Sequence, residues 1–242
     1  MEIRNSAVLV TGASRGLGAA VCRVLAREGA RVVAVARGQE ELDRVVGAIR
    51  AEGGEAHALA ADVGDKEAIH PLAGAAAALV GPIDLLVHNA STLGPTPLPL
   101  LLETACEDLE RVLAVNLVGP FRLSKVIVGA MVLRGRGLVV HVTSDAASQA
   151  YPRWGAYGVS KAAQDHLSRI LAAELDGTGV RVLAVDPGEM DTVMHAAAIP
   201  DADRAQLARP ADVAARIVEM IEDPARAPSG ARLAAPRWGA AS

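Results

Sequence analysis

The chain has 242 residues, 51% of them hydrophobic but only 2% aromatic, and 24 basic against 28 acidic side chains give a formal net charge of −4. Its length suits one large α/β domain, expected over residues 1–242, with a core built from Ala, Val and Leu because aromatic volume is scarce. Net acidity without a strongly basic stretch argues against a nucleic-acid partner.

Strand-like and helix-like runs then alternate along the chain. Ala7–Thr11 is an apolar run that stops at Gly12, and Gly18–Glu28 carries Val21, Val24 and Leu25 at helical spacing before Gly29. Arg31–Val35 is strand-like and Glu40–Glu52 is a polar, amphipathic helix. Ala56–Ala60, Asp84–His88, Gly137–Thr143 and Arg181–Val185 read as further strands. Lys66–Leu79, Glu107–Arg134, Gly155–Leu175 and Ala211–Ile221 read as further helices, and the Pro-rich stretch Gly94–Leu102 as a loop. The tail from Asp223 is rich in Pro, Ala and Gly; it should form a short edge strand near Ala231–Ala234 and then an irregular terminus. Alternation of this kind implies βαβ units. The expected fold is a Rossmann-like, doubly wound, mainly parallel sheet of about seven strands with helices on both faces.

Thr11-Gly12-Ala13-Ser14-Arg15-Gly16-Leu17-Gly18 joins the first strand to the first helix. Glycines there let the backbone turn sharply and approach a pyrophosphate, and the helix N-terminus offers free N–H groups to the phosphates. An acid at the end of the second strand would hydrogen-bond an adenosine ribose hydroxyl. Here Arg37 stands in that region, and Arg37 with Arg15 would clamp a 2′-phosphate through charge-assisted bonds. The expected cofactor is therefore NADP(H) rather than NAD(H).

Tyr157-Gly158-Val159-Ser160-Lys161 opens a helix, and residues four apart share one helical face, roughly 6 Å apart. Lowering a tyrosine pKa from about 10 to about 7 requires roughly 4 kcal/mol of phenolate stabilisation. One cation supplies about 1–3 pKa units, so Lys161 alone falls at the edge of what is needed, and an oxidised nicotinamide would add a second positive charge. Ser144 follows the strand-like run Leu138–Thr143 at a carboxyl end, where doubly wound sheets bind ligands. Taken singly, each of these residues is more readily explained by packing or by a turn.

In order along the chain, these residues resemble the short-chain dehydrogenase/reductase family from Ala7 to about Ile221. The likeness rests on the TGxxxGxG turn, Asp62-Val63, Asn89-Ala90, Asn116, Ser144, the Tyr157/Lys161 pair, and Pro187-Gly188 followed by Thr192. The resemblance implies that Tyr157 donates or accepts the proton and that Ser144 holds the substrate oxygen. It implies that Lys161 lowers the Tyr157 pKa and binds the nicotinamide ribose, and that Asn116 anchors a water continuing the proton relay. Gly12, Ser14, Arg15, Gly16, Leu17 and Gly18 would bind the phosphates. Asp62 and Val63 would contact the adenine, Asn89 and Ala90 would line the cleft, and Pro187, Gly188 and Thr192 would hold the nicotinamide end. Hydride would pass directly between nicotinamide and a carbonyl or alcohol carbon, without a metal. Homodimers or homotetramers are implied, packed through the helices that carry Asn116 and Tyr157–Lys161.

The chain also departs from the family pattern. His88-Asn89-Ala90-Ser91 stands where the family commonly has NNAG, and Asp145, Asp186 and Glu189 place acids beside the site. Asp186 reads as structural; Asp145 and Glu189 suit recognition of a hydroxyl or amine. His88 and His141 read as hydrogen-bonded core groups. His195, Met190, Met194, Tyr151 and Trp154 are candidates for the pocket wall.

Cys22 and Cys106 form no CxxC spacing and the six histidines no metal spacing, which fits a reducing compartment and no metal. Met1–Ser6 is too short and polar for a signal peptide, and no apolar run approaches the ~20 residues that cross a bilayer. A cytoplasmic protein without membrane contact is expected. The competing reading is a nucleotide-binding regulatory protein of the same fold that has lost catalysis. A nucleotide-sugar epimerase fits poorly, because such chains are usually longer and space the first glycine turn differently.

Overall fold

In a computed structural model, residues 1–239 are described; residues 240–242 of the expected domain lie outside them. The strands are β1 (Ala7–Thr11), β2 (Arg31–Ala36), β3 (Glu55–Ala60), β4 (Leu85–His88), β5 (Gly137–Val142), β6 (Val180–Asp186) and β7 (Arg232–Ala234). They form one seven-stranded sheet in the order β3-β2-β1-β4-β5-β6-β7, and every neighbouring pair is parallel. The helices are α1 (Gly16–Arg27), α2 (Gln39–Ala51), α3 (Ile69–Val80), α4 (Cys106–Leu113), α5 (Gly119–Leu133), α6 (Gly155–Glu174), α7 (Val193–Ala198) and α8 (Pro210–Glu222). The expected edge strand is β7, which pairs with β6 from Arg232 to Ala234.

The strands are apolar throughout because both sheet faces are covered. Successive side chains point to opposite faces. Val8, Val10, Val32, Ala34, Leu138 and Val140 face a core layer shared with α1, α2 and α8, including Val21, Leu25, Leu42 and Ile217. Ala7, Leu9, Val33, Val35 and Val139 face the other layer, against Leu72, Ala76, Leu123, Ile127 and Met131 of α3 and α5. The strand order reverses between β1 and β4, and the crevice at the carboxyl ends there is where such a sheet takes a ligand.

Two expectations change. The helix expected from Glu107 to Arg134 is interrupted: residues Ala114–Val118 form a π-turn between α4 and α5, with Asn116 buried at its centre. Such turns widen a helix locally and often sit at functional sites. In addition, the helical run Cys106–Leu133, its π-turn included, is long and apolar enough, by length and composition, to cross a membrane. An unbroken apolar run is absent because Arg122 and Lys125 interrupt it, but the average remains apolar. Leu123, Ile127, Val128 and Met131 from this run are buried in the second core layer, as in a core helix.

Candidate active site

The turn after β1 is built from Gly12 and Gly16, at φ +68° and +55° in the left-handed region open to glycine. Thr11 fastens it to the end of β4: its hydroxyl accepts the N–H groups of Asn89 and Ala90, each at 3.1 Å. Asn89 returns its side-chain amide to the carbonyls of Thr11 and Gly12, both at 3.0 Å. A Cβ at Gly12 would stand 2.7 Å from the Ala90 Cα, and one at Gly18 would stand 2.3 Å from the Gly12 carbonyl oxygen. A Cβ on Gly16 would meet only the Thr192 side chain, at 3.4 Å or more, so the turn is open on that side.

The first turn of α1 carries no acidic residue, and its N-cap Arg15 makes no side-chain cap bond. The positive end of that helix is therefore uncompensated and its early N–H groups are available to an anion. Ser14 is half-buried beside it, Leu17 is buried, and the guanidinium groups of Arg15 and Arg37 are exposed. This donor set fits a dinucleotide. Asp62 is exposed and its carboxylate accepts the Gly64 N–H at 2.8 Å, while Val63 is buried. The Val63 carbonyl lies so close to Gly119 that a Cβ there would come within 2.3 Å of it, which fixes the Asp62-Val63 loop against α5.

On the other side of the cleft, α6 turns one polar face inward: Tyr157, Ser160, Lys161, Gln164, Asp165 and Ser168 are all buried. The Lys161 ammonium donates to the Val142 carbonyl at 2.7 Å and to Gln164 Oε1 at 3.3 Å, and lies 5.6 Å from the Tyr157 ring centroid. Burial pushes Lys161 down to about 8, against the opposing pull of Asp165. Burial pushes Tyr157 up to about 12; the Ser144 and Ser91 hydroxyls pull it down, and Asp186 and Asp145 push it up. Burial thus disfavours the charged form of both groups.

Asn116 is fully buried. Its Oδ1 accepts the Thr92 N–H at 2.8 Å, and its Nδ2 donates to the Thr92 carbonyl and to Ser160 Oγ, both at 2.9 Å. Its carbonyl accepts Gln164 Nε2 at 3.0 Å. Ser160 Oγ donates to the Tyr157 carbonyl at 2.6 Å. The Asn116 side chain therefore bonds to protein at both ends, tying the π-turn to α6 and to the loop after β4.

Ser144 Oγ donates to Asp145 Oδ1 at 3.0 Å and accepts the Ala146 N–H at 3.2 Å. Asp145 also accepts the Tyr151 hydroxyl at 2.8 Å. Arg232 of β7 donates to the Ser144 carbonyl at 2.8 Å and pairs with Asp165 at 2.8 Å and Asp186 at 3.2 Å. Asp186 further accepts the Gly188 N–H at 3.0 Å, which holds the Pro187-Gly188 turn to the end of β6. Thr192 caps α7, accepting the His195 N–H at 3.1 Å.

The apolar wall beside Tyr157 is a separate cluster of Leu93, Leu98 and Ala146, with Trp154, Met194 and Ala198 packed on it. Trp154 meets Tyr157 edge-on at 5.7 Å. Next to it a cleft of about 450 Å³ opens between Pro97–Leu98, Pro152–Trp154 and Ala197–Pro200. Of the expected wall residues, Trp154 and Met194 are there. Tyr151 is exposed and bonded to Asp145, and Met190 packs on the first core layer instead. His195 Nε2 stands 3.7 Å from Glu189.

The structure therefore gathers Ser144, Tyr157, Lys161 and Asn116 in one cluster and the glycine turn with Asn89 and Ala90 in another. Sequence reasoning assigned no role to Thr92, Ser160, Gln164 and Arg232, and named Thr11 and Ser91 only as parts of the glycine turn and of the departure from NNAG. Ser160 and Gln164 carry a signal, since Ser160 lies three residues after Tyr157 and Gln164 three after Lys161, spacings that share one helical face. Thr92 and Arg232 carry none, because their partners are remote in sequence.

A family model described as short chain dehydrogenase matches residues 6–203. A short chain dehydrogenase of Pseudocercospora fijiensis is 37% identical over 200 residues, 81% of this chain. The chain spans only 63% of that relative's length. The 2,3-dihydro-2,3-dihydroxybenzoate dehydrogenase of Bacillus subtilis is 36% identical over 80% of this chain and 73% of its own. Among solved structures, a short chain dehydrogenase of Shigella flexneri complexed with NADP superposes with a TM-score of 0.90 at 28% identity, covering 97% of this chain and 98% of the other.

Proposed function

Because the chain belongs to the short-chain dehydrogenase family, we propose that it is an NADP(H)-dependent oxidoreductase interconverting a carbonyl and an alcohol, with Tyr157 as general acid and base. The observation that carries this reading is the buried Lys161 ammonium 5.6 Å from the Tyr157 ring, on a helix face that also holds Ser160 and meets Asn116. NADPH, when bound, supplies the hydride that reduces the carbonyl carbon.

The protein supplies everything else. Ser144 orients the substrate oxygen toward Tyr157. Tyr157 gives its proton to that oxygen in reduction and takes it back in oxidation. Lys161 holds positive charge beside the phenolate and reaches the nicotinamide ribose, and Asn116 fixes the π-turn behind them. Gly12, Ser14, Arg15, Gly16, Leu17 and Gly18 cradle the phosphates. Arg15 and Arg37 select the 2′-phosphate, and Asp62 and Val63 flank the adenine. Asn89, Ala90, Pro187, Gly188 and Thr192 hold the nicotinamide end. The cleft beside Trp154 and Met194 takes the small-molecule carbonyl or alcohol.

The site sits on one domain in a cytoplasmic homodimer or homotetramer. What supports self-association is an apolar groove across α5 and α6, lined by Phe121, Val128, Val132, Leu133 and Leu171. Light scattering giving the monomer mass at micromolar concentration would refute that part.

The activity is tested by NADPH oxidation against a panel of aldehydes and ketones. Turnover that falls by about 10²–10⁴ in Tyr157→Phe, with NADPH still bound, supports the proposal. A wild-type protein that binds NADPH yet reduces none of the panel sinks it in favour of a non-catalytic nucleotide-binding protein.

A further inference from the structure

Gln164 is fully buried one turn beyond Lys161 on the inward face of α6. Among the described residues its carboxamide is the one side chain hydrogen-bonded to both Lys161 and Asn116: Oε1 accepts from the Lys161 ammonium at 3.3 Å and Nε2 donates to the Asn116 carbonyl at 3.0 Å. The amide orientation is fixed by chemistry, since an ammonium has no acceptor and a carbonyl no donor. The Asn116 carbonyl is also in need of a donor. In a regular α-helix its partner is the N–H of residue 120, and residue 120 is proline, which has none. The interruption of the helix at Ala114–Val118 and the carboxamide of Gln164 thus answer one another.

We propose that Gln164 is a positioning residue that bridges Lys161 to the Asn116 carbonyl, holding the ammonium in place and keeping it charged. The carboxamide thus joins the π-turn at Ala114–Val118 to Lys161 through two direct hydrogen bonds. Gln164 is itself held: its backbone carbonyl accepts the Ser168 hydroxyl at 2.8 Å, and Ser168 Oγ lies 2.9 Å from His141 Nδ1. The titratable groups around Lys161 are Tyr157 and Asp165 on its own helix, His141 from β5 and His88 from β4. Of these only Asp165 favours the ammonium, which leaves Gln164 Oε1 and the Val142 carbonyl as its direct acceptors.

This inference deepens the reading of Tyr157 and Lys161 as the acid–base pair and rests on it. Two variants separate positioning from packing. Gln164→Met keeps the volume and removes both bonds; Gln164→Glu also removes the donor to Asn116 but places a carboxylate at Lys161. The chain has only three lysines, and Lys66 and Lys125 are exposed, so Lys161 can be titrated by NMR of side-chain-labelled lysine in the nucleotide-free protein. The Lys161 titration should move to lower pH in Gln164→Met and to higher pH in Gln164→Glu, by at least about one unit in the latter. The alkaline limb of kcat should follow in the same two directions, with KM for the carbonyl within about twofold. A purely structural role moves both variants the same way. Titrations that coincide with wild type, or shift alike in both, overturn the proposal. If Gln164→Glu does not fold, Gln164→Met decides alone, an unmoved titration being the refuting result. The NMR readout needs no turnover, so an inactive wild type would defeat the proposed function while still deciding the role of Gln164.

Discussion

His88 and His141 stand side by side in adjacent strands with their rings stacked, 4.8 Å between centroids and 11° between planes. The β4–β5 register pairs them directly, and each ring nitrogen nearest a helix meets a serine, Ser124 for His88 and Ser168 for His141. They are the hydrogen-bonded core groups that their strand positions suggest. Burial, and then the positive charge of neighbours, pushes His141 down to about 3 and His88 well below the usual imidazole range. Their folded pKa values lie below the unfolded ones, so the stability they contribute is present above about pH 6.5 and is lost as pH falls toward 3. His141 should withdraw about 2 kcal/mol between pH 7 and pH 5, and His88 should add a loss of the same sign. Urea unfolding at the two pH values measures this. The double variant His88→Asn, His141→Asn should flatten the profile; an equally steep loss in that variant would refute the assignment.

Glycines in this chain divide by what surrounds them. Gly18→Ala would press its Cβ to 2.3 Å from the Gly12 carbonyl and 2.5 Å from the Asn89 amide. The turn must open, with a loss of about 1–3 kcal/mol and weaker NADPH binding. Gly47→Ala and Gly74→Ala meet nothing within 4 Å in the interiors of α2 and α3. Each should gain about 0.5–1 kcal/mol through helix propensity. Thermal unfolding and NADPH titration of the three variants check both directions, and a neutral Gly18→Ala would contradict the close approach.

Much of this was legible in sequence, for a physical reason. A parallel strand buried on both faces is an unbroken apolar run, so Ala7–Thr11 and Gly137–Val142 announce themselves; the turn needs positive φ, so Gly12 and Gly16 do too. What failed to show depends on partners far along the chain. The break at Ala114–Val118 is stabilised by Asn116 reaching Thr92, 24 residues away. Arg232 looks like a surface charge in a polar tail until β7 places it against Asp165 and Asp186. Periodicity reports which face of an element is buried, not which buried polar atoms meet.

Arg232 supports a third expectation. It joins α6, the end of β6 and the Ser144 carbonyl, and the carboxylates it neutralises are only 11% exposed. Arg232→Leu leaves Asp165 and Asp186 facing each other unpaired. Breaking a fully buried pair costs about 3–5 kcal/mol; with the guanidinium itself a third exposed, about 2 kcal/mol is expected here. Urea unfolding should show that loss, and adding Asp165→Asn should restore part of it. Loss of the anchor on Ser144 should also lower kcat more than it raises KM. Stability unchanged in Arg232→Leu would mean that solvent screens the cluster.

In the function proposed for this chain, cofactor choice turns on two exposed side chains. Arg15 caps α1 without a side-chain bond, and Arg37 lies exposed just beyond the end of β2. Neither makes an ion pair among the described residues, so each is free to meet a phosphate. A charge-assisted bond to phosphate contributes about 1.5–3 kcal/mol, which corresponds to a rise of roughly 10- to 150-fold in KM for NADPH when one arginine is removed. Arg15→Ala and Arg37→Ala should each show that rise while KM for NADH changes little, because NADH carries no 2′-phosphate. Arg37→Asp should go further and favour NADH, since an acid at that place bonds the free ribose hydroxyl and repels the phosphate. Steady-state kinetics with both cofactors on all three variants is decisive. Equal losses for NADH and NADPH would show that the arginines serve the pyrophosphate or the fold, and the 2′-phosphate clamp would have to be abandoned.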